Sequence, residues 1–157
     1  SGSTVSLASL GAVSNASVQI NGAAGNENIT GSAASESISG LGGNDTLSGG
    51  GGNDTLLGWA GADSLSGGAG DDLFILAGGA DIAAGEVIDG GSGTNTLRFI
   101  GNVDVTGATL SNLHALVLDA GLIATFDGSQ TGGKRCSNSC DADWRRSWWS
   151  TRPPARR

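Results

Sequence analysis

Glycine recurs at intervals of nine: Gly22, Gly31, Gly40, Gly49, Gly58 and Gly67 head six nonads, GAAGNENIT, GSAASESIS, GLGGNDTLS, GGGGNDTLL, GWAGADSLS and GGAGDDLFI, running from Gly22 to Ile75 without a gap. The sixth position is always acidic (Glu27, Glu36, Asp45, Asp54, Asp63, Asp72) and the eighth always large and apolar (Ile29, Ile38, Leu47, Leu56, Leu65, Phe74). The fourth is Gly except at Ala34. Gly/Ser-rich composition by itself describes a flexible linker, but three positions locked in one phase exclude that. A period of nine is too long for strand alternation and fits no helical face. It suits half a turn of a solenoid, a six-residue Gly-rich loop and then a three-residue strand. The predicted fold is all-β: a parallel β-roll, a β-helix-like solenoid with short three-residue strands and Gly-rich loops. Two nonads close a turn, so the six nonads predict a repeat core about 14 Å tall and one Leu or Ile thick.

Composition fits such a chain and excludes others. Among 157 residues there are 29 Gly, no Met or Tyr, and 4% aromatics, too few large side chains for a conventional core. No apolar run approaches the roughly twenty residues of a membrane span. Charge is segregated: residues 1–133 hold 13 acids and one base, Arg98, leaving them at −12, whereas 134–157 hold 2 acids and 7 bases. A polyanionic body argues against nucleic acid or anionic membranes and for a cationic partner, of which a metal ion is the simplest. Cys136 and Cys140 both lie in the tail, so no disulfide framework holds the body.

The nonads resemble the RTX (hemolysin-type) calcium-binding repeat, GGxGxDxUx. The likeness is strongest over 40–75 and weaker over 22–39, where Glu replaces Asp and Ala23, Ser32 and Ala34 replace Gly. The resemblance implies that calcium sits between stacked loops and folds the roll. The ligand candidates are Asp45, Asp54, Asp63 and Asp72, with carbonyls of the loop positions Gly40, Gly42, Gly43, Gly49, Gly51, Gly52, Gly58, Gly61, Gly67 and Gly70, and more weakly Glu27 and Glu36. In a two-nonad turn, loops 18 residues apart share an edge, placing Asp45 over Asp63 and Asp54 over Asp72, with Glu27 and Glu36 at the start of the two rows. Carboxylates about 5 Å apart repel by roughly 1 kcal/mol in water and about 3 kcal/mol at an effective dielectric of 20, so the stack calls for a cation. Carboxylate and carbonyl oxygens select Ca²⁺, since Zn²⁺ favours His or Cys and Mg²⁺ keeps its waters. Two or more ions are expected, with firm sites over 40–63 and 49–72 and partial ones towards 22–36.

Around the nonads the chain divides into 1–21, N-terminal rungs; 22–75, the repeat roll; 76–133, an irregular continuation and cap; and 134–157, a basic Trp/Arg tail. Residues 76–89 read as an interruption before a seventh copy, GGSGTNTLR at 90–98, with Asn95 at the acidic position. Residues 95–128 are expected to form short strands around a larger core drawn from Phe99, Val103, Val105, Leu110, Leu113, Leu116, Leu118, Ile123 and Phe126. The tail, disordered or out of frame, has three readings: a membrane-active cationic segment, a CxxxC clip with too few ligands, or a frameshifted end, because a one-base shift lets residues 140–145 read ATLTGG.

Other chemistry is sparse. His114 is the only histidine, and as half of a catalytic pair it needs Asp119 or Asp104; the simpler reading is a rung-edge residue. No G-x-S-x-G, H-E-x-x-H or P-loop motif is present. Trp59 replaces a usual loop Gly, either as a contact for carbohydrate or another chain or as a plain surface substitution. The N-terminus has neither an initiator Met nor a basic-then-apolar leader, so no Sec-type signal is expected and the chain reads as a piece of something longer. The resemblance implies a secreted bacterial or cell-surface protein, exported by the type I secretion apparatus and folding outside. Two rivals are an adhesin or surface-layer fragment, self-associating through the solenoid ends, and a small calcium-dependent hydrolase of esters or lactones.

Overall fold

The computed structural model describes residues 2–6, 18–78, 84–119, 122–125 and 136–137. Strands fall alternately on two parallel sheets, as a nine-residue half-turn requires. One sheet orders β1 (Thr4–Ser6), β3 (Asn28–Thr30), β5 (Thr46–Gly51), β7 (Ser64–Ala69), β9 (Val87–Asp89) and β12 (Thr109–Ser111) side by side. The other holds β2 (Val18–Asn21), β4 (Glu36–Gly42), β6 (Thr55–Ala60), β8 (Leu73–Leu76), β10 (Thr96–Phe99) and β13 (Ala115–Leu118). The chain is therefore an all-β parallel solenoid of about five turns, the architecture of a β-roll. Partners in the repeats are 18 residues apart, Leu47 on Leu65 and Ile38 on Leu56.

The strands run longer than the three residues read from the sequence. β5, β6 and β7 each span six, because ladder pairing continues through the first glycines of the next loop, as between Gly50 and Gly68. Alternation along such a strand points positions six, eight and one to the same side. Asp45, Leu47 and Gly49 are accordingly all buried. Ile29, Ile38, Leu47, Leu56 and Phe74 are fully buried, forming the expected core one side chain thick between the sheets. Near the C-terminal end Phe99, Val103, Val105 and Leu113 are buried and Leu110, Leu116 and Leu118 partly so, which widens the core there. Ile123 is in a strand, and Phe126 lies outside the described residues.

The stretch 76–89 is not an interruption. β9 pairs in register with β7, Leu65 on Ile88, and β10 with β8, Phe74 on Leu97, at a spacing of 23 instead of 18. Fourteen residues are one degenerate nonad, DIAAGEVID at 81–89, plus five inserted residues. β9 keeps its register with β7 despite the extra length.

A third sheet comprises β11 (Val103–Asp104), β14 (Ile123–Thr125) and β15 (Cys136–Ser137). β15 runs antiparallel to β14, so this part of the tail is a strand rather than disordered. Residues 138–157 lie outside the described residues.

Candidate metal centre

Each edge of the roll carries a row of buried side chains at position six, tied by backbone amides. On the first edge the Glu27 N–H donates to Asp45 Oδ1 (2.7 Å), the Asp45 N–H to Asp63 Oδ1 (2.8 Å), and the Asp63 N–H to Glu86 Oε2 (3.0 Å). On the second the Glu36 N–H donates to Asp54 Oδ1 (2.7 Å), the Asp54 N–H to Asp72 Oδ1 (2.9 Å), and the Asp72 N–H to Asn95 Oδ1 (2.9 Å). The four aspartates are at most 2% exposed. One carboxylate oxygen is thus used to hold the neighbouring rung.

The second oxygen sets the aspartate loops apart. Oδ2 of Asp45, Asp54 and Asp72 is buried with no hydrogen-bond partner. It lies against the first glycine of its own loop, close to the corresponding carbonyl of the next rung. A Cβ added at Gly67 would lie 2.2 Å from Asp72 Oδ2 and 2.7 Å from the Gly90 carbonyl oxygen; at Gly49 it would lie 2.2 Å from Asp54 Oδ2 and 2.6 Å from the Gly67 oxygen. Two acceptors converge where no donor is supplied, and a buried unpaired charge costs several kcal/mol. Burial pushes the Asp54 carboxyl up to about 7, with the charges of Glu36 and Asp72 adding to the rise against the hydrogen bond from the Glu36 N–H. Burial likewise raises Asp45 and Asp72, helped by Glu27 and by Asp71 respectively. Oxygen-only, anionic and without a donor, this set fits a hard divalent cation. Among the described residues no group of three or more His, Cys, Asp or Glu converges, so carbonyls or water would have to complete any coordination shell.

The glutamate loops satisfy themselves. Their extra methylene lets Glu27 Oε2 accept the Ala23 N–H (3.0 Å) and Glu36 Oε2 accept the Ser32 N–H (3.1 Å), while the Ser32 hydroxyl donates to Glu36 Oε1. The loop backbone differs as well. Gly52 takes φ +94°, where an added Cβ would meet the Ala34 carbonyl at 2.5 Å, whereas Gly25 and Ala34 are not at positive φ.

The sequence reading missed Glu86, which is 1% exposed and stands in the first row above Asp63. The signal was the remainder after nine residues are taken from fourteen. Also missed was an outer row at position five. The Asn44 N–H donates to Asn26 Oδ1 (2.8 Å), the Ala62 N–H to Asn44 Oδ1 (3.0 Å), and the Asp71 N–H to Asn53 Oδ1 (2.9 Å). The recurring Asn before the acid at 26, 44 and 53 was its signature.

Both acids considered as partners for His114 have other partners. Asp119 binds Arg98 through both oxygens at 3.0 and 3.1 Å, and Asp104 accepts from Thr106, which lowers its carboxyl. His114 stands at the end of the second row, its Nδ1 accepting the Asn95 N–H at 3.3 Å. Trp59 pairs with Leu41 on the next rung; both are partly exposed and both occupy left-handed backbone, at φ 67° and 77°.

Compared with known families, residues 21–56, 30–65 and 58–83 match the RTX calcium-binding nonapeptide repeat. The chain carries RTX repeats. No curated protein and no solved structure matches it. The repeats make this a calcium-binding β-roll module, and among the described residues no helix is long and apolar enough to cross a membrane.

Proposed function

We propose that this RTX module is a calcium-triggered folding unit, largely unfolded where calcium is scarce and assembled where it is plentiful. The observation that carries it is the pair of acceptors closing on Gly49 and Gly67, Asp54 Oδ2 with the Gly67 carbonyl and Asp72 Oδ2 with the Gly90 carbonyl. Asp45, Asp54, Asp63 and Asp72 would hold the ions, with carbonyls of the loop glycines; Glu27 and Glu36 contribute little because their own loops already occupy them. Bound calcium supplies positive charge at the buried carboxylates and leaves the apolar row free to close the two sheets. Folding on calcium suits a secreted or cell-surface protein that crosses a type I secretion apparatus unfolded and meets millimolar calcium outside. Calorimetric titration with Ca²⁺ and with Mg²⁺ tests the proposal. Binding of two or more Ca²⁺ with a heat of folding and a weak response to Mg²⁺ is expected, and equal responses to both ions would reject it.

A further inference from the structure

The last nonad of the second row repeats the geometry of the one before it with one atom exchanged. Loop 90–95 leads into β10 as loop 67–72 leads into β8, with Leu73 opposite Thr96. Asn95 Oδ1 accepts the Asp72 N–H at 2.9 Å, just as Asp72 Oδ1 accepts the Asp54 N–H at 2.9 Å. The second branch differs. Where Asp72 Oδ2 is buried without a hydrogen-bond partner near the Gly90 carbonyl, Asn95 Nδ2 donates to the Asn112 carbonyl at 3.1 Å. Both groups again crowd one glycine: a Cβ at Gly90 would lie 2.6 Å from Asn95 Nδ2 and 2.1 Å from the Asn112 oxygen. The amide orientation follows from its neighbours, because the reverse would set N–H against the Asp72 N–H and oxygen against the Asn112 oxygen.

We infer that the Asn95 side-chain amide stands in for a calcium ion, closing the last loop of the second edge with an internal N–H donor, ending the ion row there and leaving a metal-independent rung. A cation between Asp72 and the Gly90 carbonyl has to join two acceptors; the Asn95 N–H joins the equivalent pair with no ion and no charge. The next group in the row is His114, whose Nδ1 accepts the Asn95 N–H. The rung is held further by the Gly90 N–H to the Ser111 carbonyl (3.0 Å) and the Ala115 N–H to the Asn95 carbonyl (3.1 Å). It therefore offers a preformed surface on which the calcium-dependent loops stack. This inference rests on the calcium reading above.

The experiment compares the full chain with Asn95→Asp and the converse Asp72→Asn, reading Ca²⁺ stoichiometry by calorimetry and backbone hydrogen exchange in chelator. The parent chain should protect the amides of Gly90 and Ala115 in chelator. Asn95→Asp should lose that protection, regain it in calcium and bind one more Ca²⁺ per chain. Asp72→Asn should bind one fewer and gain protection at Leu73 in chelator, so a variant that fails to fold metal-free leaves the other to decide. Unchanged stoichiometry and exchange in both variants, with the parent binding calcium normally, would overturn the role of Asn95 alone. A parent chain that binds no calcium would overturn the calcium reading and this inference together.

Discussion

At the scale of single residues, the roll is governed by where the second carboxylate oxygen goes. Asp54 sits between two row neighbours, donating its N–H to Asp72 and accepting from Glu36, and its Oδ2 has no internal donor. Glu27 finds one in the Ala23 N–H. Asp54→Ala should therefore raise the calcium midpoint for folding severalfold more than Glu27→Ala, as read by circular dichroism titration; equal shifts would contradict the 18-residue stacking. The same burial sets a pH dependence. Asp54 rises from 3.8 to about 7 in the metal-free fold, so the folded chain binds its proton more tightly than the unfolded one. Stability without metal is then fullest below about pH 4 and falls as pH rises through the window up to about 7. In chelator, residual β-structure by circular dichroism should be greater at pH 5 than at pH 8, and saturating calcium should remove the difference.

At the scale of elements, strand phase follows from the period, since one apolar residue per nonad has a single inward position. Leu56 is fully buried in β6, between Ile38 of β4 and Phe74 of β8, with no second layer to close a gap. Leu56→Ala should cost about 2–5 kcal/mol in denaturant unfolding with calcium present, and Leu110→Ala, only partly buried, distinctly less. This regularity is why β3 to β8 and the aspartate rows were legible before any coordinates. The rest was hidden for physical reasons. Five inserted residues break the count at 76–89, yet β9 keeps its register with β7, so Glu86 escaped notice although it continues the row. Glu27 and Glu36 looked like weaker copies of aspartate, whereas their longer reach lets them bond their own loops. The strand at Cys136–Ser137 has no repeat behind it, and its pairing with β14 is a long-range contact that periodicity does not encode.

At the scale of the molecule, two sheets share a core one side chain thick, and both edges are rows of inward acids on a body of net charge −12 across 1–133. Backbone ladders and the outer asparagine row tie the rungs together, but they leave the carboxylate charge buried and opposed. A few kcal/mol per unpaired carboxylate is comparable to the whole stability of a small domain, so removing the cation at neutral pH should unfold the calcium-dependent loops and leave order only about the Asn95 rung. Calcium should neutralise that charge along both edges, and cooperative assembly is the expected result. The most direct test is far-ultraviolet circular dichroism of the full chain, first in chelator and then with millimolar Ca²⁺. A largely disordered spectrum that becomes a β spectrum on adding Ca²⁺, and does not with Mg²⁺, is the expected result; the same β spectrum in chelator and in calcium would contradict a calcium-driven fold.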